Sequence, residues 1–165
     1  MSSDQPPVQS VLTIGGSDSS GGAGVQADLK TFNNLGLHGA SVLTCVTAQN
    51  SLGVTHVEAI SCASIRHQLD AVMTDLSLGA VKTGMLFSTE IVEEISDSLN
   101  KFDAFVVVDP VMVSRAGSIL LHEEAVASYK KLLFPWASLI TPNIFEAGLL
   151  ANYSISTKSD VEVAA

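Results

Sequence analysis

Basic residues are scarce in this sequence: eight Lys and Arg stand against 17 Asp and Glu, a formal net charge of −9. Binding a nucleic-acid backbone requires clustered cations that displace counterions from phosphates, and no basic run is present to do so. Cysteine is scarcer still, with Cys45 and Cys62 set apart in apolar or small-residue stretches. That rules against a disulfide framework or a CxxC metal site and reads as two buried thiols in a reducing cytosol. No apolar run approaches the roughly 20 residues that span a bilayer. The first ten residues, MSSDQPPVQS, lack the basic-then-apolar layout of a signal peptide. A cytoplasmic protein with neither membrane nor nucleic-acid partner is expected. His38, His56, His67 and His122 show no metal-ligand spacing. Ser17, Ser19 and Ser20 fit no G-x-S-x-G elbow, so a Ser-His-Asp triad has no support.

Apolar residues are plentiful, at 47% of 165 against 15% charged, enough for one domain with its own core. Residues 1–10 read as a flexible tail. Five apolar runs read as strands: VLTIGG from Val11, SVLTCVTAQ from Ser41, AVKTGM from Ala80, AFVVVDPVMV from Ala104 and ASLITP from Ala137. They are continuous rather than alternating, as in parallel strands covered on both faces. Val54 to Ile60 is a candidate extra edge strand.

Helical patterns lie between the strands. Ile65, Leu69, Val72, Met73 and Leu76 share one face, and so do Ile91, Val92, Ile95 and Leu99, with Ser88 as N-cap and Glu90 in the first turn. Val25, Leu29 and Phe32 predict a shorter helix that Gly36 can close. Another is expected from Glu123 to Phe134, ahead of Pro135. Alternation of strand and helix predicts an α/β layered fold around a mostly parallel sheet. Near the C-terminus Ser159 and Glu162 have capping-box spacing with only three residues after them. The expectation is that the chain stops just inside a new helix, as the N-terminal part of a longer protein.

Five of the twelve glycines fall in GGSDSSGGAGVQADLKT, residues 15–31, between the first strand and the first helix. This layout can present main-chain amides to a ligand. Gly16 and Gly21 have Walker A spacing, but Gly22 stands where the phosphate-binding lysine belongs. Gly22-x-Gly24-x-x-Ala27 fits a dinucleotide fingerprint, yet the second strand ends in Gln49-Asn50 without the acid that grips a ribose. A nicotinamide-dependent dehydrogenase is therefore the most distant reading.

Polar groups gather instead at the C-terminal ends of the strands, where open α/β sheets bind ligands. These are Gln49 and Asn50, then Lys82 and Met85, then Asp109, then Asn143 and Glu146. A Gln amide, with one acceptor and two donors, suits an aminopyrimidine-like edge. Asn143 and Glu146 are spaced i, i+3 on one helical face. With Asp109 they could hold hydrated Mg²⁺ and its phosphate oxygens, and Asn143 could at the same time be an N-cap.

GGSDSSGGAGVQADLKT, VTAQN (Val46–Asn50), KTGML (Lys82–Leu86), VVDPVMV (Val107–Val113) and LITPNIFEA (Leu139–Ala147) occur in that order. From Val11 onward the chain resembles hydroxymethylpyrimidine/phosphomethylpyrimidine kinases of thiamine biosynthesis, in the ribokinase-like superfamily. The resemblance implies a three-layer α/β/α sandwich whose C-terminal part is missing, residues 11–165 being the N-terminal portion of one kinase domain. It implies Mg-ATP-dependent phosphorylation of 4-amino-5-hydroxymethyl-2-methylpyrimidine and then of its monophosphate, by a homodimer. Carried over residue by residue, Gln49 would bond the aminopyrimidine edge and Gly16 would offer main chain. Asp28 would face the pocket, and Met85 would pack on the ring. Asp109, Asn143 and Glu146 would serve the ATP and phosphate side, with Asp109 and Glu146 meeting Mg²⁺ through water.

The family's Lys-Gly-Gly-His stretch and its Gly-Thr-Gly-Cys anion-hole motif are expected beyond Ala165. No catalytic residue is therefore expected within this chain, and these 165 residues alone are expected to be inactive. Two departures from the family pattern are Gly15-Gly16 for Ala-Gly, and Ala116-Gly117 where Ser-Gly often follows VMV. A pyridoxal-type vitamin B6 kinase and a non-catalytic pyrimidine-binding module are the alternative functions.

Overall fold

The computed structural model describes residues 9–112 and 123–164. Its centre is a six-stranded sheet in the order β3-β2-β1-β4-β5-β6. The strands are β1 (Ser10–Asp18), β2 (His38–Asn50), β3 (Gly53–Ala59), β4 (Leu78–Thr83), β5 (Phe105–Val108) and β6 (Leu139–Ile140). All neighbours pair in parallel except β3, which turns back antiparallel on β2 as the predicted edge strand. Residues 109–112 of the AFVVVDPVMV run are not strand: the ladder ends at Val108, because Asp109-Pro110 follows and Pro has no N–H to give. Val113, Ala116-Gly117 and His122 lie outside the described residues, as do residues 1–8.

The helices are α1 (Gly24–Asn34), α2 (Cys62–Asp75), α3 (Thr89–Leu99), α4 (Glu123–Ser128), α5 (Ile144–Ala151) and α6 (Lys158–Ala164). Right-handed crossovers fix their sides. β1 connects leftward to β2 through α1, while β2 to β4, β4 to β5 and β5 to β6 all run rightward. So α1 covers one face of the sheet, and α2, α3 and α4 cover the other. α1 ends as predicted: Gly36, at φ +74°, follows the C-cap, and the amides of Leu37 and Gly36 bond the carbonyls of Phe32 and Asn33. Ser88 caps α3, accepting from the Ile91 amide.

Two expected helices differ. The segment from Glu123 is α-helical only to Ser128, then widens into a π turn (Tyr129–Leu133) and tightens into a 3-10 turn (Phe134–Trp136). Pro135 explains the break, since it can neither donate a helical hydrogen bond nor leave the preceding turn undisturbed. At α6 the capping pair is Thr157 and Asp160, not Ser159 and Glu162. The Thr157 hydroxyl accepts from the Asp160 amide at 3.3 Å, and Asp160 Oδ2 accepts from the Ser156 and Thr157 amides at 2.9 and 2.7 Å. Two overlapping boxes competed, and the one whose acid collects two amides prevailed.

The main core lies between the sheet and α2–α4. Leu12, Ile14, Val42, Val81, Val106 and Val108 meet Ile65, Leu69, Ile91, Val92, Ile95, Leu99, Tyr129 and Leu133, all nearly inaccessible. Past β6 the covering thins, although Leu150 of α5 still joins the core. Ile144 and Phe145 of α5 are 64% and 60% exposed beside a two-residue edge strand. Among the described residues no helix is long and apolar enough to cross a membrane.

Candidate functional site

The sheet reverses its winding between β1 and β4, whose chains leave for opposite faces. That switch point opens a crevice at the strands' C-terminal ends. A cavity of about 350 Å³ sits there, and Gly16, Asp28, Gln49, Met85 and Asp109 all line it. Asn143 and Glu146 are not in its wall.

One wall is the glycine-rich loop, and Asp18 organises it. This carboxylate, 3% exposed, accepts from the amides of Ser20, Gly22 and Ala23 at 2.8–3.0 Å and from the Ser20 hydroxyl. Burial pushes its pKa up, but the Ser20, Ala23 and Gly22 donors outweigh burial and leave it below the ordinary value. The loop's amides are thereby turned inward on the protein's own acid. Gly24 must be glycine: its φ is +58°, and a Cβ there would sit 2.4 Å from the Gly16 carbonyl oxygen. Gly16 is held in turn, since a Cβ on it would meet the buried Cys45 Sγ at 2.9 Å.

The opposite wall comes from β2. A register irregularity against β1, between Gly15 and Ser17, gives β2 one extra residue. The Ser19 hydroxyl donates to the Gln49 carbonyl and accepts from its amide, both at 2.8 Å, and so closes the loop onto β2 as a strand partner would. The Thr47 hydroxyl lies 3.2 Å from Gln49 Oε1 and 2.9 Å from the Ser17 carbonyl. Met85 is set by its own carbonyl, which accepts from the buried Thr44 hydroxyl at 2.7 Å. The neighbouring Gly84 carbonyl takes a bond from the fully buried Tyr129 hydroxyl.

The floor is ionic. Lys82 Nζ lies 2.8 and 3.0 Å from the two Asp28 oxygens and 3.5 Å from Asp109 Oδ2. The Thr13 hydroxyl donates to Asp28 Oδ2 at 2.6 Å. Burial pushes the Asp109 carboxyl up; Lys82 opposes that and Asp28 adds to it.

Asn143 and Glu146 form the capping box of α5. Asn143 Oδ1 accepts from the Glu146 amide at 2.9 Å, and Glu146 Oε2 accepts from the Asn143 amide at 2.9 Å. Glu146 Oε1 accepts from the Met112 amide at 3.3 Å, which ties α5 to the segment after Asp109. Its pKa is raised, mainly by burial. Among the described residues no cluster of three or more His, Cys, Asp and Glu side chains gathers as a metal cage. Of the three residues expected on the phosphate side, Asp109 lines the cavity, and Asn143 and Glu146 do not.

Asp18, Thr13 and the pairing of Lys82 escaped the sequence reading. Asp followed by Ser-Ser-Gly-Gly is a signal for a side chain that bonds its own turn. Thr13 and Lys82 carry no local signal, since Lys82 meets Asp28 across 54 residues.

Residues 18–165 match the family model described as phosphomethylpyrimidine kinase. A hydroxymethylpyrimidine/phosphomethylpyrimidine kinase of Synechococcus elongatus is 49% identical over 154 residues, 93% of this chain and 59% of that protein. The crystal structure of phosphomethylpyrimidine kinase from Clostridium difficile superposes with a TM-score of 0.87 at 47% identity, covering 94% of this chain and 68% of that one. A Staphylococcus aureus pyridoxal kinase in complex with pyridoxal gives a TM-score of 0.88 at 34% identity, over 97% of this chain and 58% of that one. The chain thus spans less than two thirds of the length of the curated relatives it matches. With the sheet order, the crevice and these matches in agreement, the chain belongs to the phosphomethylpyrimidine kinase family, with a ribokinase-like fold.

Proposed function

We propose that this chain carries the pyrimidine-binding half of an ATP-dependent kinase of thiamine biosynthesis. The enzyme phosphorylates 4-amino-5-hydroxymethyl-2-methylpyrimidine and then its monophosphate. Residues 11–165 form the N-terminal portion of its single kinase domain. The observation that carries this reading is the cavity in which Gly16, Asp28, Gln49 and Met85 converge. A heterocycle of this size needs an apolar contact and a few placed polar groups. Met85 supplies the contact. Gln49 reads the aminopyrimidine edge, the Gly16 main chain bounds the ring, and Asp28 accepts from the hydroxyl or the amino group. Gly22 stands where a phosphate-binding lysine belongs, Lys30 donates to the Gly21 carbonyl, and Asp18 accepts from the amides of Ser20, Gly22 and Ala23, so the loop serves the heterocycle rather than a phosphate.

Asp109 faces the phosphate side and would hold Mg²⁺ through water, with Asn143 and Glu146 fixing the segments behind it. Mg-ATP supplies the transferred phosphoryl group, whose reaction depends on charge stabilisation and alignment. Since no residue of this chain is expected to form the anion hole, the 165-residue chain binds the pyrimidine without phosphorylating it. The reading extends to a cytoplasmic homodimer acting on a small pyrimidine and ATP, with no nucleic-acid or membrane partner.

Calorimetric titration of the chain with the pyrimidine and with pyridoxal tests the substrate. Tighter binding of the pyrimidine is expected, and tighter binding of pyridoxal overturns it in favour of a vitamin B6 kinase. Incubation with Mg-ATP and the pyrimidine is expected to give no phosphorylated product, and turnover by the isolated chain contradicts the assignment of catalysis elsewhere.

A further inference from the structure

Lys82 stands in the middle of the sheet, on the face covered by α1. Its register partner on β1 is Thr13, and Asp28 of α1 lies over both. Packing alone gives no reason for a cation here, because an aliphatic side chain would fill the space without a desolvation cost. The ammonium has three protons and no acceptor. It donates to both oxygens of Asp28 and forms a longer ion pair with Asp109 Oδ2 at 3.5 Å. Lys82 lines the cavity and its side chain is 28% exposed, but the hydrogen bonds and ion pair of its ammonium go to these two carboxylates.

Asp28 is nearly saturated. A carboxylate offers about four acceptor sites, and Lys82 and Thr13 make three bonds to it. One site is left for a donor in the cavity. Without the ammonium, Asp28 would face the negative Asp109 with only the Thr13 hydroxyl to hold it, and Glu146 adds its field from behind Asp109.

We propose that Lys82 is the positioning residue of the pocket: by clamping Asp28 to Asp109 it fixes the one free acceptor that meets a hydroxyl or amino group of the ligand. The inference rests on the pyrimidine reading above and assigns Lys82 no contact with the ligand.

A double-mutant cycle on the whole chain decides it, read by calorimetric titration with 4-amino-5-hydroxymethyl-2-methylpyrimidine. K82M is expected to lose about tenfold in affinity, the middle of the range for groups coupled in one network. K82R, which keeps the cation, is expected to regain most of that loss. D28N/K82M is expected to bind no more weakly than D28N, because the role of Lys82 passes through Asp28. Additive losses overturn the proposal, and so does an unchanged affinity in K82M with only a lower melting temperature. Should K82M not fold, K82M/D109N restores the charge balance, and the same cycle is run in the D109N background. A wild-type chain that binds no pyrimidine fails the substrate reading instead. The positioning role is then judged without ligand, from the carboxyl carbon resonance of Asp28. A shift between wild type and K82M supports the clamp, and an unmoved resonance overturns it.

Discussion

The two faces of the sheet are built on opposite principles. Toward α2–α4, strand residues such as Leu12, Ile14, Val81 and Val108 meet helical Ile65, Ile95 and Leu99 in a continuous apolar layer. Toward α1, the alternate residues of the same strands include Thr13 and Lys82, which are bonded to Asp28. Side chains alternate across a strand, so one segment can serve both purposes at once: Val81 is core and Lys82 is floor. The apolar face carries the stability, and the polar face is held open around a cavity because its charges satisfy one another. Function sits where packing was given up.

The largest effect should come from the apolar face. Ile95→Ala leaves a cavity among fully buried neighbours and is expected to cost about 4 kcal/mol. Chemical denaturation should show loss of most or all of the cooperative transition. A small loss would mean that the thick face is not the stabilising one. Gly24→Ala, on the loop side, sharpens the contrast. The clash with the Gly16 carbonyl and the positive φ are expected to cost about 3 kcal/mol, with pyrimidine binding abolished in the fraction that still folds. Binding intact by titration would break the link between loop geometry and ligand.

Asp18→Asn is the smallest of the three, about 2 kcal/mol for weakening a buried charged acceptor. Its pH dependence separates it from a packing defect. The folded pKa lies below the unfolded value, so the contribution is present in full above the unfolded pKa, near 4. It is lost as pH falls through the lowered folded value. Wild type should therefore lose stability in that acid window, and Asp18→Asn should lose less of it, as measured by denaturation at pH 6 and pH 3.

The apolar face was readable in advance because burial on both sides writes continuous runs such as VLTI and FVVV. The amphipathic helices α2 and α3 were readable from their spacing, and Ser88 and Gly36 from cap chemistry. What failed were boundaries decided by competition: Pro135 against the helix preceding it, and Thr157-Asp160 against Ser159-Glu162. In the cavity, Gln49, Met85 and Asp109 could be placed because strand ends in a parallel sheet point to one rim. The ion cluster could not, because nothing local announces that a lysine on β4 will meet an aspartate on α1. The family resemblance supplied Asp28 as a pocket residue without its partner.

The contact between Gly24 and the Gly16 carbonyl has a consequence for how such a pocket can diversify. Two positions of the loop admit no side chain, and Asp18 is committed to holding the loop's own amides. The heritable variation that could retune recognition must then fall on the other lining side chains, such as Gln49, Met85 and Val111. A scaffold of this kind would explore new heterocycles along very few directions, with its main-chain wall held constant while a handful of side chains drift.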